Sequence, residues 1–210
     1  MENHELLRKA RMHLEMGQEA MAGGMGISAR TLQALEGQKN PTKSYHLAAA
    51  SHVVSAAKLV LEIAKITPAA GDMHRTDRMR EMLIARGYTQ AVASAVLGAL
   101  LSGSYLRTSD TGDSFSLRSG AGDLKLHDLR VWRQEVAGRH AEAGEMKPCE
   151  VLIVGPTGVD GHLFFETVEE ALPTIRELRR SEIGLRVIWP RTDTDDAIYA
   201  ELARLGAVHT

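Results

Sequence analysis

A single cysteine, Cys149, stands in the whole chain. No intrachain disulfide can form, which fits a reducing compartment and excludes a disulfide scaffold. Aromatics are scarce too: three Phe, four Tyr and two Trp leave Ala, Leu, Val, Ile and nine Met to build the core. No uninterrupted apolar run reaches 18 residues, and the N-terminus lacks a basic stretch leading into an apolar segment. The expectation is a cytoplasmic protein with no membrane-inserted part. The nine histidines are scattered without the H-x-x-x-H or H-E-x-x-H spacing of a zinc site, so no metal and no cofactor are expected. Cys149 has no activating partner nearby in sequence and reads as a buried or incidental thiol. Nothing in the chain forms a convincing catalytic constellation, and the protein is read as a non-enzyme.

What is present suits a soluble globular protein, with 44% apolar and 25% charged residues, enough for one large core or two to three small ones. The net charge of −2 argues against a protein that coats polyanions indiscriminately. Its distribution is more informative. Residues 1–65 carry eight Lys/Arg against six Asp/Glu, whereas residues 151–210 carry six against ten. Any contact with nucleic acid therefore belongs to the head of the chain.

Punctuation divides the chain into three. Pro, Ala and Gly at 67–72 and the 141–148 segment read as linkers. The expected domains are 1–66, a helical bundle; 73–141, a helical middle segment with a hairpin; and 149–210, a small α/β unit. Together they make an α+β protein. Helices are expected at 4–14, 18–23, 28–36 and about 43–66. The last carries two adjacent apolar stripes, Leu47, Ala50, Val54, Ala57, Leu61 and Ala64 beside Val53, Ala56, Val60 and Ile63. Together they are wider than one buried face requires. Further on, helices at 75–86 and 90–101 precede a hairpin signal centred on Asp110-Thr111-Gly112-Asp113, while the Ser/Asp/Gly-rich stretch 108–122 leaves little room for helix. That hairpin reads equally as the wing of a winged-helix module or as a closure of the local core. A helix at 126–141 follows. In the last third, continuous or alternating apolar runs at 150–154, 162–165 and 185–189 read as strands. Helices at 167–180 and 195–205 separate or follow them, and 207–208 adds a short final strand. This alternation predicts a mostly parallel layer.

Residues 16–41, MGQEAMAGGMGISARTLQALEGQKNP, resemble the helix-turn-helix of the Cro/repressor (XRE) family. Gln18, Glu19, Ala22, Gly26, Ile27, Ser28, Thr31, Leu32, Glu36 and Pro41 fall in step with that family's pattern, and the resemblance covers about 60 residues. Each position also has a physical use. Ala22 is small where two helices cross, and Gly26 permits a left-handed turn. Ser28 caps the third helix, and Ile27 and Leu32 plug the core beneath the turn. The resemblance also implies that Arg11 pairs with Glu36. Gly23 and Gly24 depart from the pattern and weaken the second helix, and the loop before Pro41 is about one residue short.

The resemblance implies that the third helix enters the major groove of double-stranded DNA with its N-terminal end. Ser28, Ala29, Arg30, Thr31 and Gln33 then form the reading end. Arg30 suits guanine, Gln33 adenine and the Ala29 methyl thymine. Gln18 would meet the backbone or an adjacent base, and Lys39, Asn40 and Lys43 would meet phosphates. One such motif buries little DNA, so a homodimer on a two-fold operator is expected, acting as a repressor.

Two other motifs read as structural. The glycine-rich 155–162 stretch, GPTGVDGH, lacks the Gly-Lys-Ser/Thr ending of a phosphate loop and reads as a connection between strands. The acidic run at 192–196 reads as a helix cap with no metal. The last 60 residues leave the partner open: dimerisation, a protein partner as in an antitoxin that regulates its own operon, or a small-molecule effector or enzymatic unit attached to the DNA-binding head.

Overall fold

The computed structural model describes residues 2–65, 74–103, 105–118, 120–143, 149–155, 158–165, 167–181, 183–188 and 196–205. The chain is α+β: helices dominate the first two thirds, with one small antiparallel sheet among them and a second after them. Four helices open it, α1 (Asn3–His13), α2 (Gln18–Met25), α3 (Ala29–Glu36) and α4 (Ser44–Lys65). Then come β1 (His74–Arg75), α5 (Thr76–Ala85), α6 (Gln90–Ser102), β2 (Leu106–Thr108), β3 (Ser114–Leu117) and α7 (Ala121–Ala143). The last part holds β4 (Cys149–Gly155), β5 (Gly158–Phe165), α8 (Val168–Arg180), β6 (Gly184–Ile188) and α9 (Asp196–Arg204).

Local chemistry sets most boundaries. Ser28 Oγ accepts the Thr31 amide at 3.1 Å and starts α3, as its position suggested. Thr89 Oγ1 does the same for the Val92 amide at 3.1 Å and starts α6. Gly26, at φ +71°, ends α2 in the left-handed conformation, and the Ile27 amide reaches back to the Ala22 carbonyl at 3.0 Å. α7 begins five residues before its sequence-based start. The Ser/Asp/Gly-rich stretch ends sooner because the Gly122 amide already donates to the Arg118 carbonyl at 3.1 Å.

The α4 helix organises the molecule. By length and composition it is apolar enough to cross a membrane, and here it is the central packed helix, touched by α1, α2, α6, α7, β3 and β5. Both of its apolar stripes are buried, Ile63 only in part. One core runs continuously from Leu6 to Val136, so the first four helices and the middle segment share their apolar interior. Trp132 of α7 is fully buried and donates its indole N–H to the Leu6 carbonyl at 2.8 Å, tying α7 to α1. Lys125 of α7 reaches the His13 carbonyl at 2.6 Å. The linker expected at 67–72 and most of the one at 141–148 lie outside the described residues, but α7 continues to Ala143.

The first sheet has the order β1-β3-β2, with α4 ahead of it and α5 and α6 between β1 and β2. β1 is a third strand that its two residues gave no pattern to announce. The β2–β3 hairpin closes the core through Leu106 and Phe115, both buried. α6 bears no charged side chain and packs on α2 and α4.

The second sheet corrects the parallel expectation. Its order is β5-β4-β6, and β4 is antiparallel to both neighbours. Only residues 156–157 separate the paired Gly155 and Gly158, and so short a connection can join only antiparallel strands. α8 then carries the chain past β4, so β6 runs parallel to β5 without touching it. The 155–162 stretch is thus a strand connection with a register shift near Val154. Thr167 caps α8 through the Glu170 amide at 3.3 Å, and Pro173 lies within the helix without ending it. One face of the sheet, with Cys149, Val151, Leu185 and Val187, forms a second core against Val168, Ala171 and Ile175 of α8 and Leu202 of α9. Residues 192–195 of the acidic run and the 207–208 strand lie outside the described residues.

Candidate nucleic-acid interface

Every residue of the helix-turn-helix stretch can be placed. α2 is held between α3, α4 and α6, with Met21, Ala22, Gly24 and Met25 buried. α3 buries only Leu32 and Leu35 and packs on α2 and α1, leaving its opposite face open. On that face Arg30 and Gln33 are exposed. Thr31 is half-buried, and its hydroxyl lies 2.8 Å from Ser28 Oγ, so both hydroxyls serve the helix start. Ala29 is half-buried and packs partly against the core, which turns its methyl away from a purely outward role.

The orientation of α3 is fixed from behind. Arg11 of α1 forks onto Glu36, Nε to Oε1 at 2.7 Å and Nη2 to Oε2 at 2.9 Å, and its Nη1 donates to the Met16 carbonyl at 3.2 Å. Bidentate geometry of this kind is directional, so it fixes an angle between helices. Gln18 Nε2 donates to the same carboxylate at 3.1 Å. This side chain is thus engaged within the protein, where it braces Glu36. The Glu36 side chain is only 6% exposed. Burial alone would raise its carboxyl pKa, but the hydrogen bonds from Arg11 and Gln18 and the Arg11 charge outweigh burial and hold it below the ordinary value.

After α3 the chain turns through Gln38, which takes φ +59° and meets the His4 ring at 2.6 Å. Lys39, Asn40 and Lys43 are all exposed along this loop. The Lys39 and Asn40 amides both point back to the Ala34 carbonyl, at 2.9 and 3.3 Å. Lys43 lies 5.9 Å from the Tyr45 ring centre. The structure therefore leaves Arg30 and Gln33 exposed on α3 and Lys39, Asn40 and Lys43 exposed on the loop after it, while Ser28, Thr31 and Gln18 each make a hydrogen bond within the protein.

Elsewhere Cys149 is buried, and burial, with Glu150 and Glu169 nearby, pushes its thiol up to about 12. That leaves it protonated and unreactive at neutral pH. Sequence reasoning missed a second cluster, His52, Glu150 and His162, because 110 residues separate the two histidines and no local pattern links them. In comparisons with protein-family models, curated proteins and solved structures, the chain matches none.

Proposed function

We propose that the protein is a cytoplasmic, sequence-specific DNA-binding transcriptional regulator of the repressor kind, reading a two-fold operator as a homodimer. The observation that carries this reading is the open face of α3. Arg30 and Gln33 stand exposed on a helix that Ser28 caps and the Arg11–Glu36–Gln18 network holds at a fixed angle. Base readout needs this combination, because donors and acceptors must reach base edges without first paying for their own alignment. Lys39 and Lys43 add the backbone-phosphate contacts that supply most of the affinity. One helix-turn-helix covers too little DNA for a selective site, and symmetry supplies the second half-site.

Selection of duplexes from a random pool by the full-length protein tests the reading. An inverted repeat with half-sites about 10 base pairs apart supports it, while a pool that stays random overturns it. Sedimentation of the protein with and without the selected duplex reports the dimer.

A second reading, an effector-binding C-terminal unit, is favoured by one feature. Arg176, Arg179, Arg180 and Arg204 line a cleft of about 580 Å³ between α8 and α9, with Glu201 bridging Arg176 and Arg204. Guanidinium groups gathered in this way suit an anionic effector. Calorimetric titration with small phosphorylated and carboxylated compounds tests it.

A further inference from the structure

The outer face of the second sheet is joined to the α-helical body by a cluster of aromatic and imidazole rings. His52 projects from α4, a helix of the body, and its Nε2 lies 3.1 Å from Nδ1 of His162 on β5. His162 Nε2 lies 3.0 Å from Glu150 Oε2, so both ring nitrogens of His162 are engaged. The His162 ring stacks on Phe164, with centroids 4.2 Å apart, and meets the edge of His52 at the same separation. Phe164 packs against the body core, and Tyr88, in the connection between α5 and α6, lies 4.7 Å from His52. The His162 carbonyl also comes within 3.4 Å of where a Cβ on Gly26 would stand. Gly26 is the left-handed residue that turns α2 into α3, two positions before the Ser28 cap. The C-terminal sheet therefore backs the turn that launches the candidate reading helix.

From this arrangement we infer that the His52–His162–Glu150 cluster is a proton-sensitive latch, which holds the C-terminal sheet against the helix-turn-helix turn at neutral pH and releases it on acidification. Its consequence for DNA rests on the function proposed above. In the latched state Arg30 and Gln33 remain exposed, so latching leaves the reading face open and braces it from behind. Release removes the brace and weakens specific binding.

The chemistry sets the direction. The groups that face His52 are His162 from β5, with Glu150 of β4 behind it, and Tyr88, whose phenol burial pushes up and keeps neutral against the opposing charges of Arg133 and Arg86. Among the described residues one carboxylate, Glu150, serves the two imidazoles, and it sits on the far side of His162. A proton on His52 would place a cation in a desolvated site, 3.1 Å from the His162 ring. Burial, and then the charge on His162, accordingly push His52 down to about 3 from its ordinary 6.5. A histidine whose pKa is depressed by a contact binds fewer protons in the contact state, so latching is fully present above pH 6.5. Below that it weakens by at most tenfold per pH unit until about pH 3, an upper limit of about 30-fold between pH 7.5 and 5.0. Titration of exposed histidines works in the opposite sense, because added positive charge strengthens DNA binding. The sign of the effect therefore separates the latch from generic histidine titration.

The test uses the full chain, wild type and His52→Phe, which keeps an aromatic ring among Tyr88, His162 and Phe164 but removes the titrating nitrogen. Amide hydrogen exchange of residues 158–165 and of Tyr88, corrected for the intrinsic pH dependence, is followed from pH 7.5 to 5.0, with α8 amides as the internal control. Affinity for the selected duplex is measured in the same buffers. In the wild type, protection at the contact and specific affinity should fall together by up to about 30-fold while α8 stays protected. In His52→Phe both should stay flat. Should His52→Phe fail to fold, His52→Gln, which keeps a donor and an acceptor without a titrating nitrogen, takes its place. Wild-type protection that is insensitive to pH, or a non-titrating variant that tracks the wild type, would overturn the latch. Contact protection that falls while affinity holds would overturn its regulatory role. If no duplex is selected at pH 7.5, the DNA reading fails, and the exchange data still decide the latch by themselves.

Discussion

Arg30 and Glu36 sit at opposite ends of one short helix and do opposite work. Arg30 is exposed and ready for a base edge, so Arg30→Ala should cost about 1–3 kcal/mol on the selected duplex and far less on random DNA. Equal losses on both, measured by fluorescence anisotropy, would reassign Arg30 to phosphate. Glu36 acts inward. Glu36→Gln removes the charge that Arg11 forks onto and should destabilise the fold by about 1–3 kcal/mol in chemical denaturation at pH 7. Because the folded carboxyl is held below its usual 4.5, its contribution is present above that value and fades as pH falls through the depressed pKa. The difference between wild type and Glu36→Gln should thus shrink toward acid. The pairing was expected from the resemblance drawn in the sequence, and Arg11 and Glu36 meet in the structure. The bond from the third partner, Gln18, was not announced, because its position in the pattern carries no information about which way its amide turns.

At the scale of elements, α2 explains the two glycines that break the family pattern. A Cβ on Gly24 would stand 3.0 Å from Cγ2 of Val53 and 3.9 Å from Cβ of Ala95, so α4 and α6 both close on that position. Val53 is fully buried and β-branched and has no room to give way. A Cβ on Gly23 would meet nothing within 4 Å. Gly23→Ala should therefore stabilise by about 0.5–1 kcal/mol through helix propensity, while Gly24→Ala should destabilise by about 1–3 kcal/mol through overpacking. Thermal melts of the two variants check the contrast, and two shifts of the same sign would contradict it. The loop between α3 and α4 makes the companion prediction. With Lys39 and Lys43 exposed, replacing either by Gln should lower the log–log salt slope of DNA binding by about one unit. An unchanged slope would remove the loop from the interface.

For the molecule as a whole, the wide apolar surface of α4 changes meaning. In the sequence it is wider than one buried face requires, and in the structure α6 and α7 of the same chain cover it. Residues 1–70 alone should consequently lack a cooperative thermal transition, because removing α6 and α7 strips the cover from α2 and α4 and removes Trp132 from its place against Leu6. Residues 1–143, which retain the continuous core, should melt cooperatively. Circular dichroism on the two fragments gives the answer, and a cooperatively folded 1–70 fragment would show that the first four helices stand alone.

The sequence by itself determined most of the elements and where they start. Helix caps at Ser28, Thr89 and Thr167, the glycine turn at Gly26 and the apolar periodicity of α4 are local signals, set by hydrogen bonds and side-chain spacing within a few residues. Only the tertiary structure decided what pairs with what. Strand direction in the second sheet follows from a two-residue connection and from the edge of β4 that β6 joins, and a strand's own residues do not encode its neighbour. The shared core of helices and middle segment, and the meeting of His52 with His162 and Glu150, depend on packing between residues scores of positions apart. Such contacts form when distant apolar faces exclude water together, and no local pattern announces them.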